Sequence, residues 1–175
     1  MRPETRKPQK AACWISALLC GAGLMVSPAL AQEEARADAT IRTALTIENV
    51  QGLDFGRIIP GTGNSRIRIN PNNGNLTIRG NAVAAGGTPD RARFSISGSA
   101  NQRVRISLVQ RRVTLTREGG SETMRLNRFR LDGRRNRRLD DSGNLDFAVG
   151  GQLRVRRNQA AGVYRGTFNV TVDYF

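Results

Sequence analysis

The chain has 175 residues, 28 of them lysine or arginine and 14 aspartate or glutamate, for a formal net charge of +14 with no histidine. The lack of histidine excludes imidazole metal sites and histidine acid–base catalysis. The only two cysteines, Cys13 and Cys20, stand near the N-terminus, so thiol chemistry is excluded from the rest of the chain.

Arg2, Arg6, Lys7 and Lys10 form a basic leader, and an apolar stretch runs from Ala11 to Val26. Ser27-Pro28 then leads into Ala29-Leu30-Ala31, a small-x-small cleavage signal. Residues 1–31 are predicted to be a secretory signal peptide, with the mature chain starting at Gln32. The apolar run is shorter than the roughly 20 residues a spanning helix needs, and the bulky Leu19 before Cys20 argues against a lipoprotein site. The expected compartment is the periplasm, the cell surface or the medium. Cleavage would leave 144 residues (175 less 31), with 24 basic (28 less 4) and 13 acidic (14 less 1), a net charge of +11. Both lysines lie in the leader, so every remaining basic residue is an arginine, and no disulfide is possible. A single domain of this size buries about 68–70% of its unfolded surface, enough for a core without covalent staples.

Residues 32–39 are polar, and residues 40–175 are predicted to form one β domain. Ile41, Leu45 and Ile47 share one parity, the pattern either of a first strand or of a donor strand that fills a neighbour's groove. Leu53, Phe55 and Ile58-Ile59 follow before a break at residues 60–64. Ile67 and Ile69 alternate with Arg66 and Arg68, and Asn73-Gly74 marks a tight turn before Leu76 and Ile78. Residues 80–90 read as loop. Phe94 and Ile96 alternate with Arg93 and Ser95. Val104, Ile106 and Leu108 alternate with Arg103, Arg105 and Ser107. Val113 and Leu115 lead through Glu118-Gly119-Gly120-Ser121 to Met124 and Leu126. The parity slips between Leu126 and Phe129, which predicts a bulge. Residues 132–144 are polar and read as the least ordered interior stretch. Leu145 to Phe147, Leu153 and Val155 come next.

The last run, residues 162–175, puts Tyr164, Gly166, Phe168, Val170, Val172 and Tyr174 on one parity. Read as one strand it is about twice the usual length, and its free edge would suit pairing with another chain. Outside the leader, no run of ten or more residues shows a helical period. About eight to ten strands in one domain predict an all-β, Ig-like, two-sheet antiparallel sandwich. The predicted core is Phe94, Ile96, Val104, Ile106, Leu108, Leu115, Leu126, Val155, Phe168, Val170 and Val172.

Four stretches also carry a resemblance. They are Leu53-Asp54-Phe55-Gly56 with Ile58-Ile59-Pro60-Gly61, Ala92-x-Phe94-x-Ile96-x-Gly98, Val149-Gly150-Gly151-x-Leu153, and the alternating run from Gly162 to Tyr174. In this order and spacing the chain resembles a family of secreted bacterial β domains, domain of unknown function 4402, over nearly the whole mature length. More distantly it is similar to chaperone–usher pilin and spore-coat-type subunits, whose Ig-like sandwiches are completed by a neighbour's strand. It departs from those pilins in lacking their usual cysteine pair. The resemblance implies fold and compartment but no activity.

Little catalytic chemistry is encoded. Serines have neither a histidine nor a lysine partner outside the leader. Asp140, Asp141 and Asp146 around Gly143 resemble a calcium loop, but the alternate oxygens and the later glutamate are missing, so a solvated turn is expected. No catalytic residue, metal ligand, cofactor or small-molecule substrate is predicted. Arginine carries the interaction content. Arg66, Arg68, Arg91, Arg93, Arg103, Arg105, Arg154, Arg156 and Arg165 fall on the polar parity of their strands, and Arg134, Arg135, Arg137 and Arg138 form a denser run. Guanidinium groups grip phosphates and carboxylates in bidentate fashion. The candidate polyanion site is therefore Arg134, Arg135, Arg137 and Arg138 with Arg103, Arg105, Arg154 and Arg156. Candidate ligands are lipopolysaccharide, DNA and acidic polysaccharide. The other reading is compositional: a GC-rich genome writes arginine for lysine, and charged faces discourage edge-to-edge aggregation. The expected function is an exported, non-enzymatic structural or adhesion subunit of the bacterial surface. It would assemble with itself or related subunits by β-strand addition. The alternative is a monomeric polyanion-binding module.

Overall fold

The computed structural model describes residues 41–175. The predicted leader, its cleavage site and the polar segment lie outside the described residues. The described chain has no helix. Its strands are β1 (Thr46–Gln51), β2 (Ile58–Ile59), β3 (Ser65–Ile69), β4 (Leu76–Arg79), β5 (Val83–Ala84), β6 (Ala92–Ser97), β7 (Arg103–Leu108), β8 (Arg112–Arg117), β9 (Thr123–Leu131), β10 (Asn136–Arg138), β11 (Asn144–Val155), β12 (Tyr164–Arg165) and β13 (Val170–Tyr174). Every pairing between them is antiparallel. The described chain is thus all-β with curled antiparallel sheets. The strand count exceeds expectation because several pieces are only two or three residues long.

The twelve-residue β11 organises the fold. Along one edge, its first half pairs with β6, from Asn144 opposite Ser97 to Val149 opposite Ala92. Its second half pairs with β3, from Gln152 opposite Arg68 to Val155 opposite Ser65. The exchange happens at Gly150-Gly151. A Cβ on Gly150 would run into the Ile69 carbonyl oxygen and lie 2.8 Å from Pro71, so only glycine lets the two partners meet there. Along the other edge β9 pairs with residues 149–154.

Two clusters of buried side chains result. Ile67, Ile69, Val113, Leu115, Leu126, Leu153 and Val155 fill the curl of β4-β3-β11-β9-β8. Ala92, Phe94, Ile96, Val104, Ile106, Leu139, Phe147 and Val149 lie between the β1-β6-β11 side and a separate three-stranded sheet, β10-β7-β13. Leu53, Phe129 and Phe168 touch both clusters. Phe94 stacks on Phe147, its register partner, at 5.1 Å between centroids, and Phe168 meets Phe94 edge-on at 6.1 Å. Each fully buried side chain of this size contributes roughly 1.5–3 kcal/mol.

The expected bulge is present. Gly150 and Gln152 oppose Arg130 and Asn127, so β9 carries one residue more than β11, and Arg128 adopts φ 51°. Several expectations need correction. The terminal run is not one strand. Tyr164–Arg165 pairs with β8 and Val170–Tyr174 with β7, so the chain leaves one sheet and joins the other between them. Gly166 sits where a Cβ would lie 2.6 Å from Leu115 and 2.9 Å from the Thr114 carbonyl oxygen. Phe168, Val170, Val172 and Leu108 are half-buried rather than fully buried, packed against the margins of the clusters. Residues 80–90 contain β5, which pairs with β2. Residues 132–144 contain β10, which pairs with β7, and the buried Leu139. A polar stretch is ordered there because backbone pairing and one buried leucine hold it. Ile41 lies outside any strand and is 96% exposed, while β1 starts only at Thr46. In this chain β1 pairs with β6, placing Ile47 opposite Ile96.

Candidate functional site

Strand pairing turns outward-facing arginines into rows. In β3 the inward residues Ile67 and Ile69 alternate with exposed Arg66 and Arg68. The same alternation exposes Arg79 in β4, Arg154 in β11, Arg125 in β9 and Arg112 in β8. The register then aligns them. Arg66 is opposite Arg79 on one side and Arg154 on the other. Arg154 is in turn opposite Arg125. Four arginines therefore stand side by side on four adjacent strands. Such strands are about 4.8 Å apart. The next row along holds Thr77, Arg68, Gln152, Asn127 and Arg112. These two rows hold six arginines and no carboxylate.

Like charges directly opposite each other are destabilising, and among the described residues these four have no carboxylate partner. The ion pairs among the described residues are Arg93–Asp90 and Arg117–Glu122, both at 2.7 Å, with Arg137–Asp132 and Arg165–Glu118. None involves the row. The Arg117–Glu122 pair closes the β8–β9 hairpin. Its hydrogen bond holds the Glu122 carboxyl below the ordinary glutamate range and raises the Arg117 guanidinium. A cleft of about 470 Å³ opens beside the row, where Arg66, Arg79, Arg125 and Arg154 are joined by Arg156 and Asn64. Nearby, Gln152 is 7% exposed although it is on the outer face. Its Nε2 and the Oδ1 of Asn127, its register partner, are buried without hydrogen-bond partners among the described residues.

The expected polyanion residues fall on two surfaces. Arg154 belongs to the row, and Arg156 lines the cleft beside it. Arg103, Arg105, Arg134 and Arg135 line a second cleft of about 610 Å³ with Asn136 and Phe175. There Arg105 donates to Asn136 Oδ1 at 3.3 Å and lies over the Phe175 ring at 5.3 Å. Arg137 and Arg138 are engaged in holding the backbone. Arg137 pairs with Asp132 and donates to the Arg134 carbonyl at 2.8 Å, and Arg138 donates to the Asn101 carbonyl at 2.7 Å. Arg91, expected on the polar face, is half-buried and donates to the Pro71 carbonyl at 2.6 Å. Sequence reading missed Arg79, Arg112 and Arg125. Their outward parity was legible beside Ile78, Val113 and Leu126, but their alignment depends on register.

Other candidates serve as structure. Asp140 Oδ1 accepts from the backbone N–H groups of Ser142 and Asn144 at 2.9 and 2.7 Å, an Asx-type turn. Among the described residues no cluster of acidic side chains could hold a metal ion. The hydroxyl of Tyr174 accepts from Ser99 N–H at 2.6 Å and donates to the Thr43 carbonyl at 2.9 Å, tying the terminal strand to the approach to β1. Tyr164 donates to the Ala160 carbonyl at 2.8 Å. Leu45 is half-buried against the second cluster and Ile47 is 38% exposed.

No curated protein and no solved structure matches the chain. A family model does, over residues 45–174, from β1's approach to the end of β13. The chain therefore belongs to the family described as domain of unknown function DUF4402.

Proposed function

We propose that this protein is an exported, non-enzymatic, Ig-like β domain of the bacterial surface that adheres to anionic surface polymers through arginine. The row of Arg79, Arg66, Arg154 and Arg125 carries this reading. Four opposed cations cost folding free energy, and a bound polyanion would offset that cost and release counterions from the polymer. Export is supported by the basic leader, the apolar run and the Ala29-Leu30-Ala31 signal. The non-enzymatic reading is supported by the absence of histidine and the lack of any cysteine beyond Cys20. Titrating the mature protein with heparin and with lipopolysaccharide tests the proposal. Binding should be tight at low salt and fall steeply as salt rises, and no binding at low salt would refute it.

A second reading is self-assembly by strand addition. The observation favouring it is that, among the described residues, β13 pairs with β7 alone and β1 with β6 alone, leaving an edge on each. All six residues of β1 are exposed. Light scattering on the mature protein would show concentration-dependent oligomers, and a peptide of residues 38–49 would rescue a chain lacking residues 32–49. A strict monomer indifferent to the peptide would remove this reading.

A further inference from the structure

Strand β13 leaves half of a regular ladder open. The Val109 N–H donates to the Asn169 carbonyl at 3.1 Å, and the Phe175 N–H donates to the Arg103 carbonyl at 3.2 Å. In an antiparallel pair such bonded positions recur every second residue, so Thr171 and Asp173 also face β7 with their backbone groups. The N–H and C=O groups of Val170, Val172 and Tyr174 therefore point away from β7. Among the described residues nothing pairs with them. The other open edges are blunted in ways that discourage pairing. β1 carries an extra residue, Val50, where its register with β6 slips. β10 is three residues long, and β2, β5 and β12 are two. β4 ends on Arg79, in the cation row, which a second copy would bring against its own. β13 has five residues, no proline and no bulge.

We infer that β13 pairs with β13 of a second copy, antiparallel about a two-fold axis at Val172, so that two three-stranded sheets become one of six strands. Both copies offer the same alternate residues, so the two open half-ladders match. Centred on Val172, the register uses all five residues and sets Val170 opposite Tyr174 on the inner face. On the outer face it sets Thr171 opposite Asp173, a hydroxyl donor against a carboxylate. Centring on Asp173 would oppose two carboxylates, and centring on Thr171 would leave Asp173 and Tyr174 beyond the partner strand. The pairing rests on the strand-addition reading above and makes it specific: a closed pair through the last strand, not an open series through residues 38–49. Exposed Arg103 and Arg105 of both copies then share one continuous face, which offers a polyanion two linked sites. Five residues a side make a small interface, so the pair is weak and concentration-dependent.

The test is sedimentation equilibrium of the mature chain from about 10 µM to about 1 mM. In about 0.15 M salt, charges more than about 8 Å apart are screened while directly opposed side chains still interact. The mass should rise toward that of a dimer and no further. Val172→Pro removes an N–H that faces the open edge rather than β7, and should weaken the dimer at least tenfold. Should that variant fail to fold by circular dichroism, two exposed substitutions still decide. Thr171→Lys sets two lysines against two Asp173 carboxylates and should tighten the dimer. Thr171→Asp sets two like pairs and should loosen it, with the two constants at least fivefold apart. Net charge alone demands the reverse order, because Thr171→Asp makes the chain less positive, and the reverse order would overturn the register. Beyond the leader the chain has no cysteine, so Val172→Cys carries a single thiol that faces its own copy at about 5.5 Å between Cα atoms. Mild oxidation should link it faster than the exposed Thr77→Cys, and equal or slower linking would overturn the pairing. Larger oligomers that survive Val172→Pro would overturn the closed pair and leave strand addition standing. A monomer at every concentration would overturn both.

Discussion

Replacing Arg154 by glutamine should stabilise the free protein. Arg154 stands between Arg66 and Arg125 in register and has no carboxylate partner among the described residues. Two unit charges roughly 6 Å apart repel by about 0.7 kcal/mol in a water-like dielectric. Two such neighbours, allowing for side chains that splay apart, put the relief at about 0.5–1 kcal/mol in dilute salt. For a domain of this size that raises Tm by about 1–4 °C. The gain should fade at about 1 M salt, where the Debye length is about 3 Å. The structure supplies its own control. Arg68 is also exposed, but its register partners are Thr77 and Gln152, so Arg68→Gln should shift stability by less than about 0.5 kcal/mol. Thermal melts of both variants at low and high salt decide the matter. If Arg154→Gln is destabilising, or behaves like Arg68→Gln at low salt, the four arginines do not repel as their register demands.

Three further outcomes are expected. Phe147→Ala removes a buried ring stacked on Phe94 and should cost about 3–5 kcal/mol in denaturant melts. Gly150→Ala places a methyl against Ile69 and Pro71 backbone atoms, with an expected loss of about 1–3 kcal/mol, since neither neighbour is a flexible side-chain tip. Glu122 has a lowered pKa because of its hydrogen bond to Arg117. Its contribution is therefore fully present above the ordinary glutamate value and is lost as pH falls through the lowered one. Glu122→Gln should flatten that part of the acid stability profile, and an unchanged profile would show that the pair contributes nothing.

The strands were legible wherever alternation was strict. Arg66 to Ile69, Phe94 to Ile96 and Val104 to Ile106 show their inward and outward faces in sequence because a half-buried strand leaves no other arrangement of apolar groups. The parity slip at Leu126 to Phe129 was legible for the same reason. The break in the terminal run was not. Residues 162–175 keep their alternation while the chain changes partners from β8 to β7, and alternation records faces, not neighbours. The order of β10 was hidden because Asn136–Arg138 is held by backbone pairing to β7, which leaves no apolar pattern. The arginine row was half legible. Arg66 and Arg154 were visibly outward, but their meeting with Arg79 and Arg125 is a consequence of register, which pairs residues far apart in sequence. The dense run at residues 134–138 drew attention by its charge, yet two of its arginines hold backbone and Asp132.

The salt dependence of heparin binding, compared between the wild-type protein and single row variants, tests the central claim most directly. Each arginine that neutralises polymer charge contributes about one to the slope of log affinity against log salt. Arg66→Ser, Arg125→Ser and Arg154→Ser should each reduce the slope by about one, while Arg68→Ser reduces it less. Equal slopes for the wild type and all three row variants would contradict polyanion binding at this face.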